Sequence, residues 1–135
     1  MITNSASETV QEGWRFGETL KPGDIVLLKG DLGAGKTHFV KGIARAFGYN
    51  ENDVQSPTFA LIHEYHGTTT LYHLDCYRLK APEEALRFGL DEYLYGDGIS
   101  LIEWPEIIAD LLPEGCFEVN IRHIDKCQRE ISIHQ

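Results

Sequence analysis

Residues 25–38 read I-V-L-L-K-G-D-L-G-A-G-K-T-H, and the rest of the chain is understood outward from them. Ile25 to Leu28 form a short apolar run suited to a buried strand. Gly30, four further residues, then Gly35, Lys36 and Thr37 complete the pattern G-x-x-x-x-G-K-S/T of a phosphate-binding loop. Glycines at 30, 33 and 35 let the backbone take positive φ and approach an anion closely. Successive N–H groups then point into one concavity, and a helix opening near Lys36 adds the positive end of its dipole. In that arrangement Lys36 reaches the outer phosphates and the Thr37 hydroxyl ligates Mg²⁺. Strand, loop and helix come in the order the motif requires, which separates it from a glycine-rich turn that binds nothing.

The 135 residues suit one domain with a single core, and a 42% hydrophobic content can fill it. A net charge of −9 argues against unaided binding to nucleic acid, where a basic surface supplies most of the affinity. It leaves open a nucleic-acid pathway entered through a protein partner. Cys76, Cys116 and Cys127 are widely spaced and form no C-x-x-C pair, so a zinc site or disulfide framework is not expected; reduced thiols in a cytoplasmic protein are the simple reading. The amino-terminal stretch lacks a signal-peptide pattern, and no apolar run approaches membrane-spanning length.

Upstream of the loop, Ser5 and Glu8 fit a capping box for a helix running to about residue 20, with Val10, Trp14, Phe16 and Leu20 along it. Gly13 and Gly17 weaken that helix and allow close approach. Downstream, Phe39, Val40, Ile43, Ala44 and Phe47 recur at helical spacing, with Gly48 as the stop. Strands are expected over 60–65 and 70–75 as an antiparallel hairpin, and over 99–102 as a buried strand leading to Glu103. Short helices open at Pro82 and near Asp91, and a helix runs from Pro105 to about Leu112. A closing antiparallel hairpin is expected over 117–124 and 129–134.

A phosphate loop defines a nucleotide class but not a reaction. In open α/β sheets ligands collect at the carboxyl ends of strands, and two acids fit that rule. Glu103 follows Ile99-Ser100-Leu101-Ile102; it suits a Mg²⁺ ligand or a group orienting water, against the plain alternative of a solvated acid. Asp75 ends Leu71-Tyr72-His73-Leu74 and could assist the water or the metal, or merely cap a turn or pair with Arg78. Thr58, stiffened by Pro57, could sense a γ-phosphate as a switch loop does, or simply begin a strand. His73 and Asp75 share a strand face, but no third metal ligand is apparent. Trp104, one residue past Glu103, would point to the opposite side in an extended strand; core packing is the plain reading, with partner contact or nucleotide gating as the alternatives. No N-K-x-D motif for guanine occurs, which favours ATP over GTP.

Several stretches together are similar to one family. Gly30-Asp31-Leu32-Gly33-Ala34-Gly35-Lys36-Thr37, Ser56-Pro57-Thr58-Phe59, His73-Leu74-Asp75-Cys76-Tyr77-Arg78-Leu79 and Leu101-Ile102-Glu103-Trp104-Pro105 stand in the order and spacing of TsaE, also called YjeE, across nearly the whole chain. The resemblance implies a small bacterial ATPase required for threonylcarbamoyladenosine modification of tRNA. It implies that Gly33, Ala34, Gly35, Lys36, Thr37 and His38 form the nucleotide-contacting stretch, His38 standing where many relatives carry threonine or serine. Thr37 and Glu103 become the Mg²⁺ ligands, Thr58 the switch-like threonine, Asp75 the aspartate important for hydrolysis, and Arg129 an arginine near bound nucleotide. The implied partners are the proteins TsaD and TsaB, with tRNA met indirectly through them.

The expected fold is therefore α/β: a single phosphate-loop NTPase-like three-layer sandwich, its sheet mixed and mainly parallel with antiparallel hairpins. The expected activity is Mg²⁺-dependent ATP hydrolysis, weak alone, supporting the tRNA-modifying transferase. A small-molecule kinase shares the loop but should carry an acceptor pocket and a lid with arginines; Arg78 and Arg87 are not clustered that way. A non-catalytic nucleotide-dependent binding module is the other alternative.

Overall fold

The computed structural model describes residues 1–31, 34–50, 54, 62–67 and 69–135. Strand β1 (Ile2–Thr3) leads into helix α1 (Ala6–Gly17), then β2 (Ile25–Lys29), α2 (Lys36–Ala46), β3 (Ile62–Tyr65), β4 (Leu71–Asp75), α3 (Pro82–Arg87), α4 (Leu90–Leu94) and β5 (Ile99–Glu103). A 3₁₀ helix (Pro105–Leu111) follows, and β6 (Phe117–His123) and β7 (Arg129–His134) close the chain. The strands form one sheet in the order β1-β7-β6-β2-β5-β4-β3. β6, β2, β5 and β4 run parallel, while β3 pairs antiparallel with β4, and β7 antiparallel with both β6 and β1. This is the mixed, mainly parallel sheet with antiparallel hairpins that the sequence suggests.

The central strands are apolar on both faces because both are covered. On one face Val26, Leu28, Leu71, Ile99 and Leu101 meet Phe16 of α1 and Phe39, Val40 and Ile43 of α2. On the other, Leu74 and Ile102 meet Ala85, Leu90, Leu94 and Ile108 from the short helical segments. Three layers result. All five β5 residues are buried, Glu103 included.

Ser5 caps α1 by accepting from the Glu8 N–H at 3.1 Å, and Glu8 Oε2 accepts from the Asn4 N–H at 3.0 Å. The reciprocal box is thus present, shifted by one residue on its second arm. The helix ends at Gly17, three residues short of the expected stop, because the Thr19 and Leu20 N–H groups turn back to the carbonyls of Phe16 and Gly17. Gly13 and Gly42 lie at the crossing of α1 and α2. A Cβ on Gly42 would sit 1.9 Å from the Val10 carbonyl oxygen, and one on Gly13 would sit 2.1 Å from that of Phe39. The segment after Pro105 is a 3₁₀ rather than an α-helix. Among the described residues no helix is long and apolar enough to cross a membrane, and Cys76, Cys116 and Cys127 are free thiols.

Candidate functional site

The parallel register builds the site. Leu28 of β2 stands beside Glu103 of β5, and Glu103 beside Asp75 of β4, so three carboxyl ends are level. Alternation along each strand turns His73, Asp75 and Glu103 to the face covered by α1 and α2. α2 begins at that same end with Lys36, so acids from distant parts of the chain and the loop lysine converge.

The loop itself leaves β2 through Gly30, where a Cβ would lie 2.5 Å from the Ile121 carbonyl oxygen. It enters α2 through Gly35, whose φ of 108° is the left-handed conformation that glycine alone adopts cheaply. Among the described residues no side chain caps the start of α2. Its first N–H groups, which lack partners within the helix, therefore remain available to an anion. Ala34 is buried, and Thr37 and His38 are half-buried in the first turn. Gly33 and the Ser56–Phe59 stretch with Thr58 lie outside the described residues.

Lys36 is 6% exposed, and its Nζ has no hydrogen-bond partner among the described residues. Nζ sits 3.7 Å from Glu103 Oε1, an ion-pair distance beyond hydrogen bonding, and 4.0 Å from the centre of the Trp104 ring. Burial holds the ammonium below the usual lysine value, against the opposing charges of Glu103, Asp75 and Glu106. A buried ammonium without a hydrogen bond costs more than the roughly 1–3 kcal/mol of a neutral orphan. Anionic phosphate oxygens fit that vacancy in its hydrogen bonding.

The two acids differ. Burial pushes the Glu103 carboxyl up, but the hydrogen bond from His73 and the charges of His73 and Lys36 outweigh it, and the group lies below the usual glutamate value. His73 Nε2 meets Glu103 Oε2 at 2.5 Å. Asp75 is raised, chiefly by burial and further by Glu103, although its Oδ1 accepts from the Tyr77 N–H at 2.8 Å. Asp75 is thus a turn cap that also stands beside Glu103 in the register.

Trp104 departs from expectation. Its φ of 55° and ψ of 57° make it left-handed, the one non-glycine with positive φ among the described residues. That kink reverses strand alternation, so the ring does not enter the core opposite Glu103. It swings back over Lys36, with Tyr77 5.0 Å away on ring centres.

Arg129, at the start of β7, lies across the loop. Its Nε is 3.6 Å from where a Gly35 Cβ would be, and its Nη1 donates to the carbonyls of Asp125 and Gln128. Beside it is a cleft of about 270 Å³ lined by Thr9, Gly35, His38, Lys126, Cys127 and Arg129. His38 faces this cleft; burial, then Lys41 and Arg129, hold its imidazole below the usual histidine value. Among the described residues no group of three or more His, Cys, Asp or Glu could cage a metal. A Mg²⁺ here would be shared by Thr37, Glu103, waters and substrate phosphates, the manner in which this reluctantly dehydrated ion is commonly held.

Sheet, loop and convergent acids define a phosphate-loop α/β protein. The model of one family, described as "Threonylcarbamoyl adenosine biosynthesis protein TsaE", matches residues 3–131. The chain is 42% identical over 132 residues to a tRNA threonylcarbamoyladenosine biosynthesis protein TsaE of Treponema pallidum, covering 98% of this chain and 97% of that one. It is 46% identical over 113 residues to the protein of that name from Bacillus subtilis, covering 83% and 70% of the two chains. The crystal structure of Bacillus subtilis YdiB is similar with a TM-score of 0.80 and 36% identity, covering 98% of this chain and 82% of that one. The chain belongs to the TsaE family.

Proposed function

We propose that this protein is a Mg²⁺-dependent ATPase that supports threonylcarbamoyl modification of the tRNA adenosine next to the anticodon by acting on the TsaD–TsaB pair. The reading rests on one observation above all: Lys36, Glu103 and Asp75 converge at the carboxyl rim of the sheet, with a buried ammonium that has no hydrogen bond among the described residues. The family relationship supports the pathway.

In this reading the Lys36 ammonium leaves Glu103 for the outer phosphates, and the N–H groups at the start of α2 cradle them. Thr37 and Glu103 hold Mg²⁺, which when bound neutralises charge on the phosphate oxygens. Asp75, whose raised pKa favours taking a proton, orients the attacking water. Arg129 and the cleft beside Gly35 receive the nucleoside end. The chain's excess of acid is compatible with a tRNA pathway because the tRNA is held by the partners.

The test combines the purified protein with TsaB, TsaD, tRNA and threonylcarbamoyl-adenylate and counts modified tRNA per TsaD. Modification beyond one turnover should require this protein, ATP and Mg²⁺ together. Multiple turnover without it, or with Lys36→Ala in its place, refutes the reading.

A further inference from the structure

His73 is fully buried, and its one hydrogen bond among the described residues is the 2.5 Å contact of Nε2 with Glu103 Oε2. Nδ1 has no partner there. An apolar side chain would remove the unpartnered Nδ1 but would strip the buried Glu103 carboxylate of its donor, so the imidazole answers to Glu103 rather than to packing. The register explains how the contact arises. His73 stands opposite Leu101, and Glu103 lies two residues further along the same face of β5, so the ring reaches diagonally to the carboxylate. The carboxylate is then divided: Oε2 is taken by His73, while Oε1 faces Lys36 at 3.7 Å.

We propose that His73 is a positioning residue, which anchors Glu103 by Oε2 so that Oε1 alone is presented toward the phosphate loop. The inference rests on the reading of Glu103 as a metal ligand. A free carboxylate at this place would rotate and give both oxygens to the Lys36 ammonium, closing the site on itself. Held by one oxygen, it keeps the other aimed at the metal position and leaves Lys36 loosely paired. Ligands of metals are commonly oriented by such outer partners.

Mn²⁺ is the probe, its affinity for the protein–ATP complex being read by electron paramagnetic resonance. His73→Met removes the donor at similar bulk, and His73→Gln returns an amide N–H near the former Nε2. H73M should weaken Mn²⁺ about tenfold, and H73Q should recover most of the loss. In a Glu103→Gln background H73M should add nothing, because the oxygen it positions is no longer a carboxylate ligand. Unchanged Mn²⁺ affinity in H73M, no rescue by H73Q, or an equal loss in the E103Q background would overturn the proposal while leaving Glu103 a ligand. Normal Mn²⁺ binding by E103Q would remove the ligand reading itself, and the proposal with it. One measurement needs no variant to fold: in the wild-type protein the low-field proton of the His73–Glu103 bond should persist when Mg²⁺ and ATP are added, and its disappearance would refute an anchor that lasts into the loaded site.

Discussion

Replacing Gly42 with alanine should destabilise the protein even though alanine is the better helix former. Gly42 is buried within α2, where intrinsic propensity alone would favour alanine by about 1 kcal/mol. Its added methyl, however, would lie 1.9 Å from the Val10 carbonyl oxygen, 2.6 Å from the Trp14 nitrogen and 2.8 Å from the Gly13 Cα. All three are backbone atoms, so no side chain can rotate away. Normal contact requires the helices to part by more than about 1 Å, and a gap of that size forfeits up to half of each dispersion contact along the seam. Phe16 of α1 would lose contact with Phe39 of α2, a ring pair now 5.8 Å apart. Overpacking of this kind costs about 1–3 kcal/mol or somewhat more. Set against the propensity gain, a net loss of about 1–2 kcal/mol remains, which in a domain of this size lowers Tm by about 3–8 °C. Thermal unfolding followed by circular dichroism measures it. Gly13→Ala should behave alike, and the double variant should lose less than the sum, since helices already parted admit the second methyl more easily. A Gly42→Ala protein as stable as wild type would refute the close-crossing argument.

The remaining predictions concern the rim. Lys36→Ala should weaken ATP binding about 10–100-fold, the worth of a charge-assisted hydrogen bond; calorimetry showing unchanged affinity would count against the loop lysine as a phosphate ligand. Glu103 lies below its ordinary carboxyl value, so the stability it adds is present above about pH 4.5 and drains away as pH falls through its folded pKa. The stability gap between wild type and Glu103→Gln should therefore narrow on acidification in denaturant titrations, and a widening gap would reverse the assignment. Asp75 is displaced the other way, so its ionised form is disfavoured in the folded protein, and stability falls as pH rises from about 3.8 through the raised value. Asp75→Asn should thus melt higher than wild type at neutral pH, with the gain vanishing toward pH 4, while ATP hydrolysis drops about a hundredfold or more. Full hydrolysis by that variant would remove Asp75 from the chemistry.

The strands and α2 were legible in sequence because their signals are local. Alternation fixed β7 at Arg129–His134, and helical spacing with a glycine stop placed α2 at Lys36–Ala46, one residue short of expectation. β1 escaped notice because two residues carry no period; it exists through pairing with Glu130 and Arg129 at the far end of the chain. The 3₁₀ geometry after Pro105 escaped for a similar reason, since a proline opening and apolar spacing do not separate two kinds of short helix. At the site, the acids at strand exits could be picked out one by one. Their convergence depends on a register that no single strand encodes. The His73 contact was half visible, as a histidine sharing a face with Asp75, but its partner lies on the neighbouring strand. The side taken by Trp104 is not legible, because strand alternation ends at Glu103 and nothing in the local sequence announces a left-handed tryptophan.

Four strands running the same way give the molecule two unlike ends. The chemistry gathers where they finish, while their starting points are joined by open turns at Gly23, Asp97 and Gly115. Gly23 and Gly115 have open space around them but hold left-handed φ values of 94° and 86°, so they stay glycine, while Asp97 beside them is exposed. That far end, at Asp97, is where a dye, an affinity handle or a surface tether can be grafted away from the rim that carries Lys36, Asp75 and Glu103.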